Sequence, residues 1–188
     1  MQFIHWRKLN KSRREKHTKK QLTRLRIALI FESNRRNKYI KKHKIFKEMG
    51  ENVFFQPRII PSDPELIKFH NNIIVGSNTT FVNHDYIHSV FNNYVGENQY
   101  AYTTGCIEVM DNVFIGTGTI IMPNIKIGPN AIIAAGSVIT KDVEENTIVG
   151  GVPAKPIGKF DEYMKKRKTT GNLTDDELWE KFNNEKNK

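Results

Sequence analysis

Residues 111–158 read DNVFIGTGTIIMPNIKIGPNAIIAAGSVITKDVEENTIVGGVPAKPIG. Stepping by six from Val109 lands on Ile115, Ile121, Ile127, Ile133 and Ile139, an unbroken aliphatic lane. A second lane, four residues further on, is small or β-branched throughout: Ile107, Val113, Thr119, Ile125, Ala131, Ser137 and Val143. A small residue often follows the aliphatic one, as at Gly50, Gly76, Gly116, Gly128 and Ala134. A fixed short period of this kind is the pattern of a β-solenoid. Three six-residue faces close one triangular coil, and coils stack through parallel-strand hydrogen bonds. The aliphatic side chain points into the prism, and the small residue sits at the corner, where the backbone turns. An amphipathic helix needs a period of 3.6, and Gly116, Gly118, Pro123, Gly128 and Pro129 oppose one. The sequence therefore predicts a mainly β chain built on a parallel β-helix.

The lane extends backward through Met49, Phe55, Phe69, Val75 and Phe81, and across a gap through Thr103. Two interruptions stand out. DYIHSVFNNYVGENQYAY, residues 85–102, abandons the lane, and PSDP, Pro61 to Pro64, reads as a smaller turn. Loops that leave a rigid scaffold are common places for sites. This divides the chain into a basic N-terminal arm with helices (1–48), a β-helix with its excursion (49–160) and a C-terminal tail with a helix (161–188). In the arm, Leu22, Leu25 and Leu29 are spaced for one face of a helix. Ser33 is placed to cap a second helix running to about Lys44, with Tyr39 and Ile40 inward, and both helices are expected to pack on one end of the prism. In the tail, Thr174 resembles an N-cap before Asp175, Asp176 and Glu177. The helix it begins carries Leu178, Trp179 and Phe182 and is expected to cap the open end of the prism or brace a neighbouring subunit.

The net charge of +10 is unevenly distributed. Residues 1–50 hold 17 Lys and Arg against 3 Asp and Glu, a net of +14; residues 51–188 hold 13 against 17, a net of −4. A basic arm on a slightly acidic body fits a solvated tail, or peripheral contact with an acidic membrane surface or a phosphate-bearing substrate. With no nucleic-acid motif beside it, it is not read as a nucleic-acid binder. No apolar run approaches the roughly 20 residues of a membrane span, no signal-peptide pattern is visible, and Cys106 is the only cysteine. The expected location is the cytoplasm.

The block at 111–158, above all AAGSVITKD and GGVPAKPIG, resembles the hexapeptide-repeat O-acetyltransferases, a group that includes galactoside, maltose and streptogramin acetyltransferases and capsule-modifying enzymes. The resemblance covers about residues 49–160. It implies a left-handed β-helix, a homotrimer with active sites between subunits, and acetyl-CoA as the acyl donor, lying in the cleft between two prisms. It implies that His84, in TFVNHD where the repeat breaks, is the catalytic base. A neutral imidazole within reach of a hydroxyl can take its proton as the oxygen attacks a thioester. Asn83 and Asp85 flank the base, and either could orient it or contact the acceptor; Asp85 is favoured as an acceptor contact. His88 is a further acceptor-contact candidate. Tyr86, Phe91, Tyr94, Tyr100 and Tyr102 make the excursion aromatic, suited to stacking on a sugar or to packing on the prism.

The same resemblance assigns Gly116, Thr117, Ala135, Thr140, Lys141 and Lys155 to the CoA groove, with a backbone N–H near Gly116 as an oxyanion donor. Lys155 stands where the family often has arginine, giving a point charge in place of a bidentate fork. A second family arginine falls on Gly158, for which Lys159 is a candidate substitute. The implied reaction is acetyl transfer to a hydroxyl of a sugar or polysaccharide precursor, with a streptogramin-type antibiotic or another small hydroxyl compound as the alternative acceptor. A remote alternative is a γ-type carbonic anhydrase using His70, His84 and His88. No metal is expected.

Overall fold

A computed structural model describes residues 20–167 and 173–186. Its centre is a three-faced parallel β-helix. The first face stacks β1 (Glu48–Met49), β3 (Ile67–Phe69), β6 (Ile107–Val109) and β9 (Ile125–Ile127). The second stacks β2 (Val53–Phe55), β4 (Ile73–Val75), β7 (Val113–Ile115) and β10 (Ala131–Ile133). Above these lie β12 (Thr147–Gly151) and the antiparallel β13 (Ala154–Lys159), a hairpin that ends the sheet. The third face has β5 (Thr80–Phe81), β8 (Ile120–Ile121) and β11 (Val138–Ile139).

The register measures the repeat. Ala131 lies opposite Val113 and Ile125 opposite Ile107, each pair 18 residues apart, which is three hexads. Val113 lies opposite Ile73, 40 residues away, so 22 residues are looped out of that coil. Val53 lies opposite Ile73, 20 apart, so the first coil holds two residues beyond three hexads.

Both sequence lanes point inward. Phe55, Phe69, Val75, Val109, Ile115, Ile121, Ile127, Ile133 and Ile139 are buried, as are all members of the second lane from Ile107 to Val143. Thr103 is a correction: it is exposed and outside any strand, because the coil resumes at Ile107. The prism is filled differently along its length. Isoleucines occupy the upper coils, and Phe46, Phe55, Phe69 and Phe81 interlock in the lower ones, with centroids 4.9–6.2 Å apart.

The corner glycines serve stacking more than turning. At Gly76, Gly116 and Gly128 a β-carbon would strike the backbone of the coil above. The left-handed turn positions are instead taken largely by asparagines: Asn52, Asn72, Asn112 and Asn130 have φ of 54–59°. Their amides form a ladder along one edge, Asn52 to Asn72 at 2.9 Å, Asn72 to Asn112 at 3.1 Å and Asn112 to Asn130 at 2.9 Å. Asparagine tolerates this conformation better than other residues with a β-carbon.

The helices α1 (residues 20–29) and α2 (Ser33–Lys42) stand at the lower end. The cap of α2 is Glu32, whose carboxylate accepts from Asn34 N and Arg35 N at 2.8 Å each, so the expected Ser33 cap shifts by one residue. Ile40 is buried as expected. α2 shields the free edge of β2, where Phe55 N donates to Asn37 Oδ1 at 2.8 Å. Leu22, Leu25 and Leu29 are exposed, and α1 buries Ile27 instead. The excursion is half helical: α3 (Ile87–Val95) ends at Gly96, which takes φ +76°. A short α4 (Phe160–Lys166) follows the hairpin. In α5 (Asp175–Lys186), Thr174 and Glu177 form a reciprocal cap, with Thr174 N to Glu177 Oε2 at 2.6 Å and Glu177 N to Thr174 Oγ1 at 3.3 Å. Leu178, Trp179 and Phe182 are exposed, so α5 does not cover the end of the prism with its apolar side chains. Among the described residues, no helix is long and apolar enough to cross a membrane. Residues 1–19 of the basic arm lie outside the described residues.

Candidate active site

His84 stands where the chain leaves the third face. Two residues earlier, Val82 N donates to Ile121 O, and above it Met122 N donates to Ile139 O. These bonds stack Val82, Met122 and Thr140 into one edge of the prism. His84 departs at the second coil, where it forms an isolated bridge with Thr104 as the excursion returns. Asn83 secures the same junction: Gly105 N donates to Asn83 O at 2.6 Å, and Asn83 Nδ2 donates to Gly105 O at 3.1 Å. Entry and exit of a 22-residue insertion are thus clamped together at the histidine and the residue before it.

The imidazole is held by Asp63. His84 Nδ1 lies 2.6 Å from Asp63 Oδ2, with the two side chains 20% and 28% exposed. A carboxylate only accepts, so Nδ1 carries the proton and Nε2 presents its lone pair in the neutral ring. Asp63 belongs to the PSDP break one coil below and is the orienting group that the sequence reading missed. The signal was available in the register. Asp63 follows Phe55 by eight residues and His84 follows Val75 by nine, so counting hexads places them on the same edge in adjacent coils.

Aromatic rings surround the pair. The His84 ring lies 5.7 Å from Tyr86, nearly perpendicular, and 5.5 Å from Tyr102. His88 packs on Tyr102 at 5.4 Å and approaches Ser89 Oγ at 3.3 Å. The Tyr102 hydroxyl is held above its ordinary pKa, first by desolvation and then by Tyr86, Asp63 and Asp85, so it remains a donor. Asp85 Oδ1 accepts from Ile87 N at 3.0 Å at the start of α3. Neither flanking residue orients the imidazole. Asn83 is buried, with its Nδ2 committed to Gly105 O and its Oδ1 without a partner among the described residues.

The expected CoA residues divide between two edges. Gly76, Gly116, Ala134 and Gly150 stack along the edge between the second and third faces, through Gly76 N to Ile115 O, Gly116 N to Ile133 O and Ala134 N to Val149 O. Lys155 pairs with Gly150 at its top. Thr117, Ala135 and Lys155 are therefore neighbours on that edge, and all three are exposed. Thr140 and Lys141 lie across the third face on the His84 edge, two coils higher, roughly 10 Å at one strand spacing per coil. They line a cavity of about 300 Å³ at the upper end, whose other wall includes Ala154 and Lys159 but not Lys155. Of the backbone N–H groups near Gly116, that of Gly116 itself is bonded to Ile133 O at 2.9 Å and is not free to hold an oxyanion.

The histidines of the metal alternative do not assemble within the chain. His70 lies beyond β3 on another edge and pairs with Glu108 at 3.1 Å, which holds the Glu108 carboxyl below its ordinary pKa. Among the described residues, no three His, Cys, Asp or Glu side chains are grouped to hold a metal ion.

Residues 107–141 match the family model "Bacterial transferase hexapeptide (six repeats)". The chain is 32% identical to YvoF of Bacillus subtilis (strain 168) over 123 residues, covering 64% of this chain and 65% of that protein. It is 29% identical to the galactoside O-acetyltransferase of Escherichia coli (strain K12) over 143 residues, covering 65% of this chain and 70% of that enzyme. A solved galactoside acetyltransferase in complex with coenzyme A superposes with a TM-score of 0.60 at 22% identity, covering 86% of each chain. At that identity the likeness is one of fold, and the architecture is the left-handed parallel β-helix.

Proposed function

We propose that this chain, a hexapeptide-repeat protein whose relatives include acetyltransferases, is an acetyl-CoA-dependent O-acetyltransferase acting on a hydroxyl of a sugar or polysaccharide precursor. The observation that carries the proposal is the Asp63–His84 pair at the base of an aromatic excursion. His84 Nε2 takes the proton of the acceptor hydroxyl as its oxygen attacks the thioester carbonyl. The new C–O bond forms a tetrahedral intermediate. Its collapse breaks the C–S bond, and the imidazolium returns the proton to the departing CoA sulfur. Asp63 keeps the ring in the required tautomer and stabilises the imidazolium. No covalent enzyme intermediate is needed, because the acetyl group arrives activated.

The two-edge arrangement supports a homotrimer. Thr117, Ala135 and Lys155 are separated from His84, Thr140 and Lys141 by the third face of one prism. A cleft formed by one edge of one subunit and the other edge of its neighbour reunites them along an extended ligand. In this reading Lys155 faces CoA phosphate, Lys141 and Thr140 hold the cofactor further along, and Gly116 and Ala135 let the pantetheine arm lie close to the backbone. His88 and Asp85, beside the ring cluster, contact the acceptor. The reaction takes place in the cytoplasm, and the basic arm adds peripheral contact with an acidic surface.

The test is acetyl-CoA consumption across a panel of sugars, glycan fragments and streptogramins, together with the mass in solution by light scattering. Transfer by a trimer is expected; a monomeric mass leaves the cleft without its second wall. Lys155→Ala is expected to raise KM for acetyl-CoA roughly fivefold, the effect of one exposed charge contact, with kcat little changed. An unchanged KM removes Lys155 from the groove.

A further inference from the structure

Arg36 is the largest fully buried polar side chain described, at 1% exposure. Burying a guanidinium is costly unless an anion pairs with it. Its partners here are neutral: Nη1 donates to Ile30 O at 3.0 Å, and Nη2 to Gln56 O at 2.8 Å and Ser33 Oγ at 3.3 Å. Nε has no partner among the described residues. Among those residues, no carboxylate lies within ion-pair distance of Arg36 or of its neighbour Arg58. The nearby Glu32 carboxylate is occupied by Asn34 N and Arg35 N. Burial and, after it, the adjacent Arg58 hold the Arg36 guanidinium below its ordinary pKa, against an opposing pull from the nearby Glu32 carboxylate.

Both arginines line a cavity of about 610 Å³, beside Phe31, Ser33, Thr80 and Phe81. The Arg58 guanidinium lies over the Phe31 ring at 4.8 Å, which fixes the direction of an otherwise exposed side chain. Pro61 also lines the cavity. Two chain segments that form its wall run directly into the proposed active site: Asp63 is two residues beyond Pro61, and His84 is three beyond Phe81.

We propose that this cavity binds the acidic group, a carboxylate or phosphate, of the acetyl acceptor, with Arg36 and Arg58 as its cationic wall. The inference rests on the acetyltransferase reading for the word acceptor; the anion site itself rests on the two arginines alone. It makes the substrate an anionic sugar or glycan precursor instead of a neutral sugar.

The probe is inorganic phosphate, titrated calorimetrically into the full chain without acetyl-CoA, against chloride at equal ionic strength. Saturable phosphate binding is expected, weakened at least ~10-fold in Arg58→Gln, since charge-assisted hydrogen bonds are worth a factor of about ten or more. His84→Asn should retain it. Arg58→Gln leaves the buried Arg36 contacts in place, so its result does not depend on refolding around a lost core residue. Phosphate should also inhibit transfer competitively with the acceptor and not with acetyl-CoA. No phosphate binding, or equal binding by Arg58→Gln, overturns the anion site. Binding without competition against the acceptor overturns the acceptor assignment and leaves a site for free phosphate. Failure of every acceptor in the panel counts against the acetyltransferase reading, while the calorimetry still decides the cavity.

Discussion

His84→Ala is expected to lower acetyl transfer by at least ~10²-fold while acetyl-CoA still binds, because a general base typically contributes about 10² to 10⁴. The split between rate and binding is the informative part. His84 lies on one edge and the thioester is activated before it arrives, so removing the imidazole leaves untouched the cofactor contacts proposed at Thr117, Ala135 and Lys155. Asp63→Asn should lower kcat at least ~10-fold with KM for acetyl-CoA unchanged. An asparagine can donate to Nδ1, which places the proton on Nε2 and blunts the lone pair that the reaction needs. Steady-state kinetics of the two variants with the best acceptor checks both. Near-normal turnover in His84→Ala removes its assigned role. A full effect in His84→Ala with none in Asp63→Asn leaves the base but dismisses its partner.

The Asp63–His84 pair also marks the limit of what the sequence pattern reveals. The lanes were legible because each hexad repeats the same local environment: an inward aliphatic, a small residue under the next coil, and a constrained position four further on. The burial of Ile107 through Ile139 follows from that period. The site does not repeat. Asp63 is a single carboxylate in a four-residue turn, and its pairing with His84 depends on how many residues the first coil inserts, a count visible only in the strand register. Residues adjacent in sequence, Asn83 and Asp85, stood as candidates either to orient the imidazole or to contact the acceptor, by proximity alone. The fold instead uses one to clamp Gly105 and the other to start α3. The excursion was legible as a departure, and its aromatic residues as a cluster, but the residue at the N-cap of its helix, Tyr86, supplies no capping side chain to announce it. The leucine spacing in α1 was read correctly as helical, but the side that packs is the one carrying Ile27. Periodicity fixes which residues share a side, and only packing decides which side is covered.

Gly116→Ala is expected to be the most damaging small substitution in the scaffold. A β-carbon at Gly116 would fall on Ala135 N, 2.7 Å from Ala135 Cα and 2.8 Å from Ile133 O. All three are backbone atoms of the coil above, so no side chain can swing aside. Relief requires the coils to separate, which stretches the 2.9 Å bond from Gly116 N to Ile133 O that holds them together. Overpacking of this kind costs about 1–3 kcal/mol or more, and at this chain length each kcal/mol lowers Tm by about 2–4 °C. A fall of roughly 5–10 °C in thermal unfolding is therefore expected. Gly118→Ala provides the contrast. Gly118 has φ +71° and no atom within 4 Å of an added β-carbon, so only left-handed backbone strain of about 1 kcal/mol applies. Because Thr117 and Ala135 flank the clash on the proposed cofactor edge, Gly116→Ala should raise KM for acetyl-CoA as well, while Gly118→Ala should do so less. Equal Tm values for the two variants would mean that close stacking of the coils is not what selects glycine at position 116. Turn geometry would then have to explain both positions.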